Sequence, residues 1–188
     1  MRYLKNEFES YIKKWEQLFG EYKIPLWDEL PMLDLYMDQV IVLMNRYLKT
    51  FVIKGDDDAQ LITPPMINNY VKLKAMPAPQ KKKYSKIHLA YLIMISSLKY
   101  ALNLPTISML IPLLEDEGEI KKLYEDFAKN QQKAFSYIKE QIAGVTNSVL
   151  KKASDEEYID TGIALQLATS ANIFKILSDD AAKFKQNI

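Results

Sequence analysis

The sequence predicts a mainly α-helical protein, and three observations lead to this fold class. Apolar side chains recur at three- and four-residue steps in several segments of the 188-residue chain, which is the spacing of amphipathic helices. Residues that commonly begin helices precede three of these segments, at Thr63, Ser85 and Pro105. Between two of the helices, the proline-containing segment from Met76 to Ser85 predicts a stiff, projecting basic loop or short hairpin.

Two helices are predicted in the first third of the chain. The first is amphipathic, spans Leu4 to Phe19 with Gly20 near its end, and is expected to pack its apolar stripe on the body of the protein. The second follows from the apolar pattern between Leu33 and Leu48, which includes Leu35 and Tyr36. The segment from Lys54 to Gln60 then predicts a solvated loop, because adjacent aspartates rarely point at one metal ion.

A third helix is predicted after Thr63, and its two faces differ in polarity. The positions predicted to be buried are Ile67, Tyr70 and Val71. The positions predicted to project outward are Asn68, Asn69 and Lys72. Asparagine can pair with the edge of adenine, and lysine with a phosphate or guanine, so the outward face suits a DNA major groove.

The remaining sequence predicts four more helices. Ser85 is expected to cap the first of them, and Pro105 opens a short second one. A long helix begins near Glu117 and is expected to end at Gly144. The last stretch, from Ile159 to Leu177, is apolar around much of its circumference, so we expect it to be buried.

Charge is strongly segregated along the sequence, although the whole chain carries a net charge of only +1. No Asp or Glu lies between Ala59 and Leu114, so that segment carries +7 and the two flanks together carry −6. Its positive residues are Lys72, Lys74, Lys81, Lys82, Lys83, Lys86 and Lys99. A surface built from them would attract a polyanion such as a nucleic acid, whereas a solvated face covered with lysines is the simpler alternative.

Composition restricts the chemistry that we expect. The chain has no cysteine, one histidine and five glycines, which excludes disulfides and thiolate metal sites and leaves no glycine cluster to wrap a nucleotide. No paired acid and base or activated nucleophile is visible, so we expect no enzyme, no cofactor and no metal. His88 is expected in packing or phosphate contact. The charged amino terminus and the short apolar runs predict a cytoplasmic protein without a membrane span.

The central segment resembles the DNA-binding domain of the MerR superfamily. The similar residues are the run ITPPMINNYVKLKAMPAPQKKKYSKIHLAYLIMI, from Ile62 to Ile95, and the run LNLPTISMLIPLL, from Leu102 to Leu114. More specifically, they resemble the YkrK-like regulators of Gram-positive bacteria. The resemblance implies a mainly α fold with a MerR-like winged helix-turn-helix domain over 31–115. An amino-terminal helix and linker over 1–30 and a helical dimerisation or regulatory region over 116–188 would flank it.

The same resemblance implies a recognition helix over 64–73 and a wing over 77–85. The residues expected to contact DNA are Thr63, Asn68, Asn69, Lys72, Lys74, Lys81, Lys82, Lys83, Tyr84 and Lys86. The sequence departs from the family pattern in two places: Lys74-Ala75 replaces a turn containing glycine, and Asn68-Asn69 replaces an arginine-tyrosine pair. The implied partners are double-stranded DNA, a second copy of the chain in a homodimer, and an unidentified small-molecule effector.

Two functions are consistent with these observations. The leading hypothesis is a sequence-specific transcriptional regulator, because the acid-free basic segment coincides with the helix-and-wing pattern. The alternative is a non-catalytic protein-interaction module that retains the helix-turn-helix as a scaffold, suggested by the two departures from the family pattern. For the carboxyl-terminal helices, a homodimer and an intramolecular bundle with the amino-terminal helix both remain open.

Overall fold

The computed structural model describes residues 5–21, 23–48, 61–152 and 162–184, and over these residues the chain is mainly helical, as predicted. The α-helices in chain order are α1 (Lys5–Glu21), α2 (Met37–Leu48), α3 (Pro64–Lys72), α4 (Lys86–Leu98), α5 (Leu104–Leu110), α6 (Glu117–Lys152) and α7 (Gly162–Phe184). A short 3-10 helix spans Trp27–Glu29, and the strands β1 (Leu35–Tyr36) and β2 (Lys83–Tyr84) pair antiparallel. The predicted loop from Lys54 to Gln60 lies outside the described residues.

The described residues group into two compact units. Unit 1 comprises the described residues within Met1–Tyr22 and Gln131–Leu177. Unit 2 comprises the described residues within Lys23–Asn130 and Ser178–Ile188. This division differs from the three segments expected from the sequence, since 23–30 and the start of α6 group with the central segment. The contacts explain the difference. The Tyr124 hydroxyl donates a hydrogen bond to the Pro25 carbonyl at 2.6 Å, and Lys121 Nζ lies 3.3 Å from Asp28 Oδ1.

Helix α4 forms the centre of unit 2. Its residues from His88 to Ser96 are all buried, and α2 packs along it. The Tyr91 hydroxyl, within this buried run, donates to the Pro112 carbonyl at 3.0 Å and accepts from the Leu114 amide at 2.9 Å. A helix that is apolar all round must be enclosed by other elements, and here α2, α5 and β2 pack against α4.

The predicted start of α2, at Leu33, is wrong by four residues. Leu35 and Tyr36 form β1 rather than the first turn of the helix, with Leu35 opposite Tyr84 and Tyr36 opposite Lys83. The helix then begins at Met37, and the Gln39 side chain accepts a hydrogen bond from the Tyr36 amide at 2.9 Å. Periodicity alone could not reveal this strand, because the partner that satisfies its backbone comes from a segment almost fifty residues later.

Unit 1 contains α1, most of α6 and most of α7. Phe8 and Ile12 of α1 are buried, in agreement with the predicted apolar stripe. The predicted end of α6 at Gly144 is wrong, because the helix continues to Lys152. A Cβ at Gly144 would meet nothing within 4 Å, so packing does not require a glycine there. An interior glycine costs a helix only about 1 kcal/mol relative to alanine, which the surrounding turns can offset.

Helix α7 differs from expectation in its burial. Large apolar residues of α7 remain exposed within the chain, and they include Leu165 at 68% and Ile176 at 59%. None of the described helices is both long enough and apolar enough to cross a membrane.

Candidate nucleic-acid interface

The outward face of α3 consists of a continuous polar stripe. The exposed residues Pro65, Asn68, Asn69 and Lys72 are separated by three, one and three positions, so they lie on one side of the helix. Ile67 and Tyr70 are buried on the opposite side, and burial raises the pKa of the Tyr70 hydroxyl. The predicted partition is therefore confirmed for Ile67, Tyr70 and the three outward residues, whereas Val71, predicted to be buried, is half-buried.

Thr63 stands at the N-cap of α3, but it caps the helix differently from expectation. Its backbone is extended, and its carbonyl accepts a hydrogen bond from the Ile67 amide at 3.2 Å. Its half-buried side chain makes no capping hydrogen bond. Pro64 and Pro65 explain why the helix starts here without one, since prolines leave fewer amides to satisfy in the first turn.

A lysine ends α3 where glycine is the usual residue. Lys74 has φ 56°, in the left-handed region. Its amide donates to the Val71 carbonyl at 3.0 Å, and the Ala75 amide donates to the Tyr70 carbonyl at 2.9 Å. These two bonds define a Schellman motif. The turn is therefore formed without glycine, and its left-handed position carries an exposed cation.

The basic loop forms a two-residue hairpin, one of the two forms predicted for it. Gln80 and Lys83 form a bridge, with the Lys83 amide donating to the Gln80 carbonyl at 2.8 Å. Lys81 and Lys82 between them have φ angles of 48° and 62°. Positive φ at both central positions is the requirement of a type I′ turn, which normally selects Asn-Gly. Both lysines are exposed at the tip.

Lys83 and Tyr36 meet where β1 and β2 pair. Lys83 Nζ lies 5.4 Å from the centre of the Tyr36 ring, within the range of a cation–π contact. Tyr36 is an exposed aromatic residue at the base of the hairpin, and the sequence analysis did not include it in the site. The signal that could have identified it is the pairing of β1 with β2, which required knowledge of the three-dimensional structure.

Tyr84 does not fit its expected role as a DNA-contacting side chain. It is only 3% exposed, and its ring packs edge-on against His88 with 5.5 Å between ring centres. Burial also raises the pKa of its hydroxyl. Its position opposite Leu35 in the β1–β2 pair turns the side chain toward the core, because side chains alternate along a strand.

His88 occupies a packing role rather than an exposed one. Its Nδ1 accepts a hydrogen bond from the Ser85 amide at 3.0 Å and lies 2.9 Å from Ser85 Oγ. Its Nε2 lies 3.2 Å from the Ala78 carbonyl oxygen, to which it can donate when neutral. Burial lowers the pKa of this imidazole, and the hydrogen bond with Ala78 and the charge of Asp34 act in the opposite direction. The predicted cap at Ser85 is therefore completed by a histidine.

Two lysines of the acid-free segment point into the protein instead of toward solvent. Lys86 Nζ lies 4.0 Å from Asp28 Oδ1 and 5.1 Å from the centre of the Trp27 ring, and its side chain is 17% exposed. Lys99 donates a hydrogen bond to the Leu61 carbonyl, and burial lowers its pKa. Lys86, expected to contact DNA, instead lies against the Trp27 ring and the exposed carboxylate of Asp28 in its own chain. Five of the seven lysines remain for a ligand, and they are Lys72, Lys74, Lys81, Lys82 and Lys83.

A cleft of about 400 Å³ lies at the base of the hairpin in unit 2. Asp34, Lys83, His88 and Glu115 are among its lining residues. Unit 1 has a smaller cavity, of about 220 Å³, between α6 and α7, with Ile142 and Phe174 in its wall. The part of the chain that the structure describes holds no group of three or more His, Asp or Glu side chains that could bind a metal ion.

Comparison with known proteins identifies a family but no characterised relative. Residues 25–127, more than half of the chain, match the family described as Domain of unknown function (DUF1836). No curated protein matches the chain, and no solved structure does. The match contains every residue of the helix and hairpin surface described above. The chain therefore belongs to the DUF1836 family.

Proposed function

We propose that residues 31–115 form a MerR-like winged helix-turn-helix domain and that the protein is a DNA-binding transcriptional regulator. In this proposal α3 is the recognition helix and the hairpin over 77–85 is the wing. The observation that carries it is the coincidence of two features. The polar stripe of α3 and the lysine-tipped hairpin are both exposed, and both fall within one segment that has no acidic residue.

The side chains available on this surface suit the two kinds of contact that DNA recognition needs. Asn68 and Asn69 carry amides that can pair with the adenine edge in the major groove, where base contacts specify sequence. Lys81 and Lys82 project from the hairpin tip, where they suit phosphates, and phosphate contacts set the register. Lys72 and Lys74 lie between these two groups along the chain.

The number of lysines that remain for a ligand determines how steeply DNA binding should depend on salt. If Lys72, Lys74 and the three lysines of the hairpin each approach a phosphate, the logarithm of affinity should fall by about 4.5 units per decade of salt for each protomer. Lys86 and Lys99 should add nothing, since both have internal partners. A dimer on two half-sites would double the value.

Fluorescence-anisotropy titration of DNA from upstream of the protein's own gene, with scrambled DNA as the control, tests the proposal. We expect preference for the upstream DNA. Changing Lys81, Lys82 and Lys83 together to alanine should reduce the salt slope by about 2.7 units for each protomer. The matched control changes Lys122, Lys133 and Lys139, three exposed lysines of α6, to alanine and should leave the slope unchanged. Equal affinity for both DNAs would contradict sequence-specific binding and would indicate a basic surface that attracts any DNA.

We further propose that the regulator acts as a homodimer. Readers of two-fold half-sites are commonly two-fold symmetric themselves, and closed dimers are the commonest oligomers. The support in this chain is α7, which is uncharged from Gly162 to Phe174 and exposes large apolar side chains. An effector that acts on this dimer stays a prediction.

One observation favours the alternative of a protein-interaction module. Met32 and Leu33, just before β1, are 90% and 79% exposed, and adjacent exposed apolar side chains are typical of protein contacts. The same titration separates the two functions. Failure of the wild-type protein to bind any DNA at low salt would reject the regulator and favour the interaction module.

A further inference from the structure

The limb of the hairpin that rises from α3 is weakly held by its own backbone. This rising limb comprises residues 76–80, between the end of the Schellman motif and the Lys81-Lys82 turn. Pro77 and Pro79 have no amide hydrogen to donate. Across residues 76–79, the hydrogen bonds described join the limb to the rest of unit 2 at one atom, the Ala78 carbonyl oxygen, which faces His88 Nε2 at 3.2 Å.

His88 is itself fixed from the opposite side of its ring. Nδ1 accepts from the Ser85 amide at 3.0 Å, so Nδ1 carries no proton and the proton of the neutral imidazole is on Nε2, directed at Ala78. The Tyr84 ring closes one edge, and the imidazole is almost completely buried. The ring therefore connects the N-terminus of α4, which belongs to the core, to the rising limb.

We propose that His88 is a positioning residue for the wing, which it holds at Ala78 so that Lys81 and Lys82 reach the phosphates. This inference rests on the proposed DNA-binding function. Only two residues separate Ala78 from Lys81, and both lysines at the tip have left-handed backbones that cost free energy. A limb released at Ala78 gives up the order that keeps those two cations in place, even when β2 stays paired with β1.

Protonation should weaken the attachment of the rising limb to His88 at Ala78, which we call the latch. A proton on Nδ1 would face the Ser85 amide, which is also a donor, so the charged ring loses that hydrogen bond and can donate from Nδ1 only to Ser85 Oγ, at 2.9 Å. The charged groups that face the ring from neighbouring segments are Asp34 before β1, Lys83 on β2 and Glu115 before α6, all of which line the cleft at the hairpin base. Burial outweighs both the hydrogen bond with Ala78 and the attraction of Asp34, so the pKa of His88 is lowered. The latch is therefore closed at neutral pH.

A double-mutant cycle on DNA binding tests the positioning role. His88→Asn keeps an acceptor oxygen near the position of Nδ1 for the Ser85 amide, but its shorter side chain does not reach the Ala78 carbonyl. We expect it to weaken DNA binding about threefold or more in the wild-type background and less than twofold when Lys81 and Lys82 are alanine, because coupled residues are not additive. An equal loss in both backgrounds would mean general destabilisation and would overturn the proposal.

A proteolysis measurement keeps the test independent of the proposed function. Trypsin cleaves after lysine, so at pH 8 without DNA we expect cleavage at Lys81, Lys82 and Lys83 to be at least about threefold faster in His88→Asn than in the wild type, with cleavage at Lys122 unchanged. Equal rates at the hairpin would reject the latch whether or not the protein binds DNA.

The pH dependence of DNA binding tests the role of the imidazole directly, in the wild type and in His88→Gln. Between pH 7.5 and 5.5 at constant ionic strength, the wild type should lose affinity for DNA relative to His88→Gln, which has no imidazole to protonate. Parallel pH profiles would contradict the latch. If the wild type binds no DNA at either pH, the regulator proposal fails, and the trypsin result alone decides on His88.

Discussion

Lysine occupies every non-glycine position with a positive φ angle among the described residues, at Lys74, Lys81 and Lys82. A left-handed conformation costs a residue with a Cβ roughly 1–2 kcal/mol, and glycine or asparagine would remove most of that cost. The chain instead has a cation at all three positions, and all three are exposed. Strain of this kind concentrates at functional sites, which supports the use of these side chains in binding an anion.

Lys74 allows backbone strain and charge to be separated. Lys74→Gly should raise the free energy of unfolding by about 1 kcal/mol, because glycine tolerates the left-handed position of the Schellman motif. Lys74→Ala removes the same charge and keeps the strained backbone, so it should not stabilise the protein. Urea unfolding measures both. In DNA titrations the two variants should lose the same part of the salt slope, about 0.9 units per protomer. Equal stability of the two variants would contradict this account of the turn.

His88 should make stability depend on pH near neutrality. Its pKa is lowered in the folded protein, mainly by burial, so the unfolded chain takes up a proton first as the pH falls. The stability contributed by the neutral ring is complete above about pH 6.5 and is lost as the pH falls from there through the lower pKa of the folded state, by at most about 1.4 kcal/mol per pH unit. Urea unfolding between pH 7.5 and 5 should show this loss in the wild type.

The comparison with His88→Gln isolates the histidine in that experiment. Carboxylates titrate in both proteins, so the difference between the two curves reports the imidazole. The difference should narrow as the pH falls, because the wild type loses the contribution of its neutral ring while glutamine does not titrate. A difference that is constant with pH would show that the ring does not change its protonation on unfolding in this range.

At the scale of the element, we expect the lysines at the hairpin tip to lower the stability of the protein and to strengthen its binding to DNA. Replacing Lys81-Lys82 by Asn-Gly gives the type I′ turn its preferred residues, so we expect a gain of up to about 1 kcal/mol in unfolding free energy. The same change removes two cations and should lower the salt slope of DNA binding by about 1.8 units per protomer. Ala-Ala at these positions is the matched control, since it removes the charges without relieving the turn.

Elements were predictable where the signal is local. The start of α3 follows from two prolines after Thr63, and the cap of α4 from Ser85. The hairpin followed from prolines that exclude a helix. Strand β1 was not predictable, because its partner lies far along the chain and its residues also fit a helical pattern. The predicted end of α6 at Gly144 was wrong for another reason. An interior glycine destabilises a helix by less than the neighbouring turns stabilise it.

The candidate site was only partly predictable for the same kind of reason. The outward face of α3 follows from periodicity, so Asn68 and Asn69 could be identified. Which lysines are free depends on partners that sequence does not reveal. Lys86 is bound by Asp28 from the linker before β1, and Tyr84 is turned inward by its register with Leu35. The left-handed backbone of Lys81 and Lys82 was hidden because lysine is an unusual residue for such a turn.

At the scale of the whole molecule, α7 has two different faces. Leu167, Ser170 and Phe174 line the cavity shared with α6 in unit 1. On the other side, Leu165, Ile173 and Ile176 are exposed by half or more. Between Gly162 and Phe174 the helix carries no charged residue. An exposed apolar face without charge is unusual for a helix that remains in water, and a second copy of the same helix would cover it.

A charge on the exposed apolar face of α7 should therefore disrupt the proposed homodimer. We expect the wild type to sediment at twice its 21.8 kDa chain mass and Ile173→Glu at the single mass. Gln132→Glu, which adds the same charge at an exposed position of α6, is the control. Since each protomer supplies one set of lysines, the monomer should also halve the salt slope on a two-half-site operator, from about 9 to about 4.5 units. A monomeric wild type with the full slope would contradict the dimer and leave the intramolecular helical bundle.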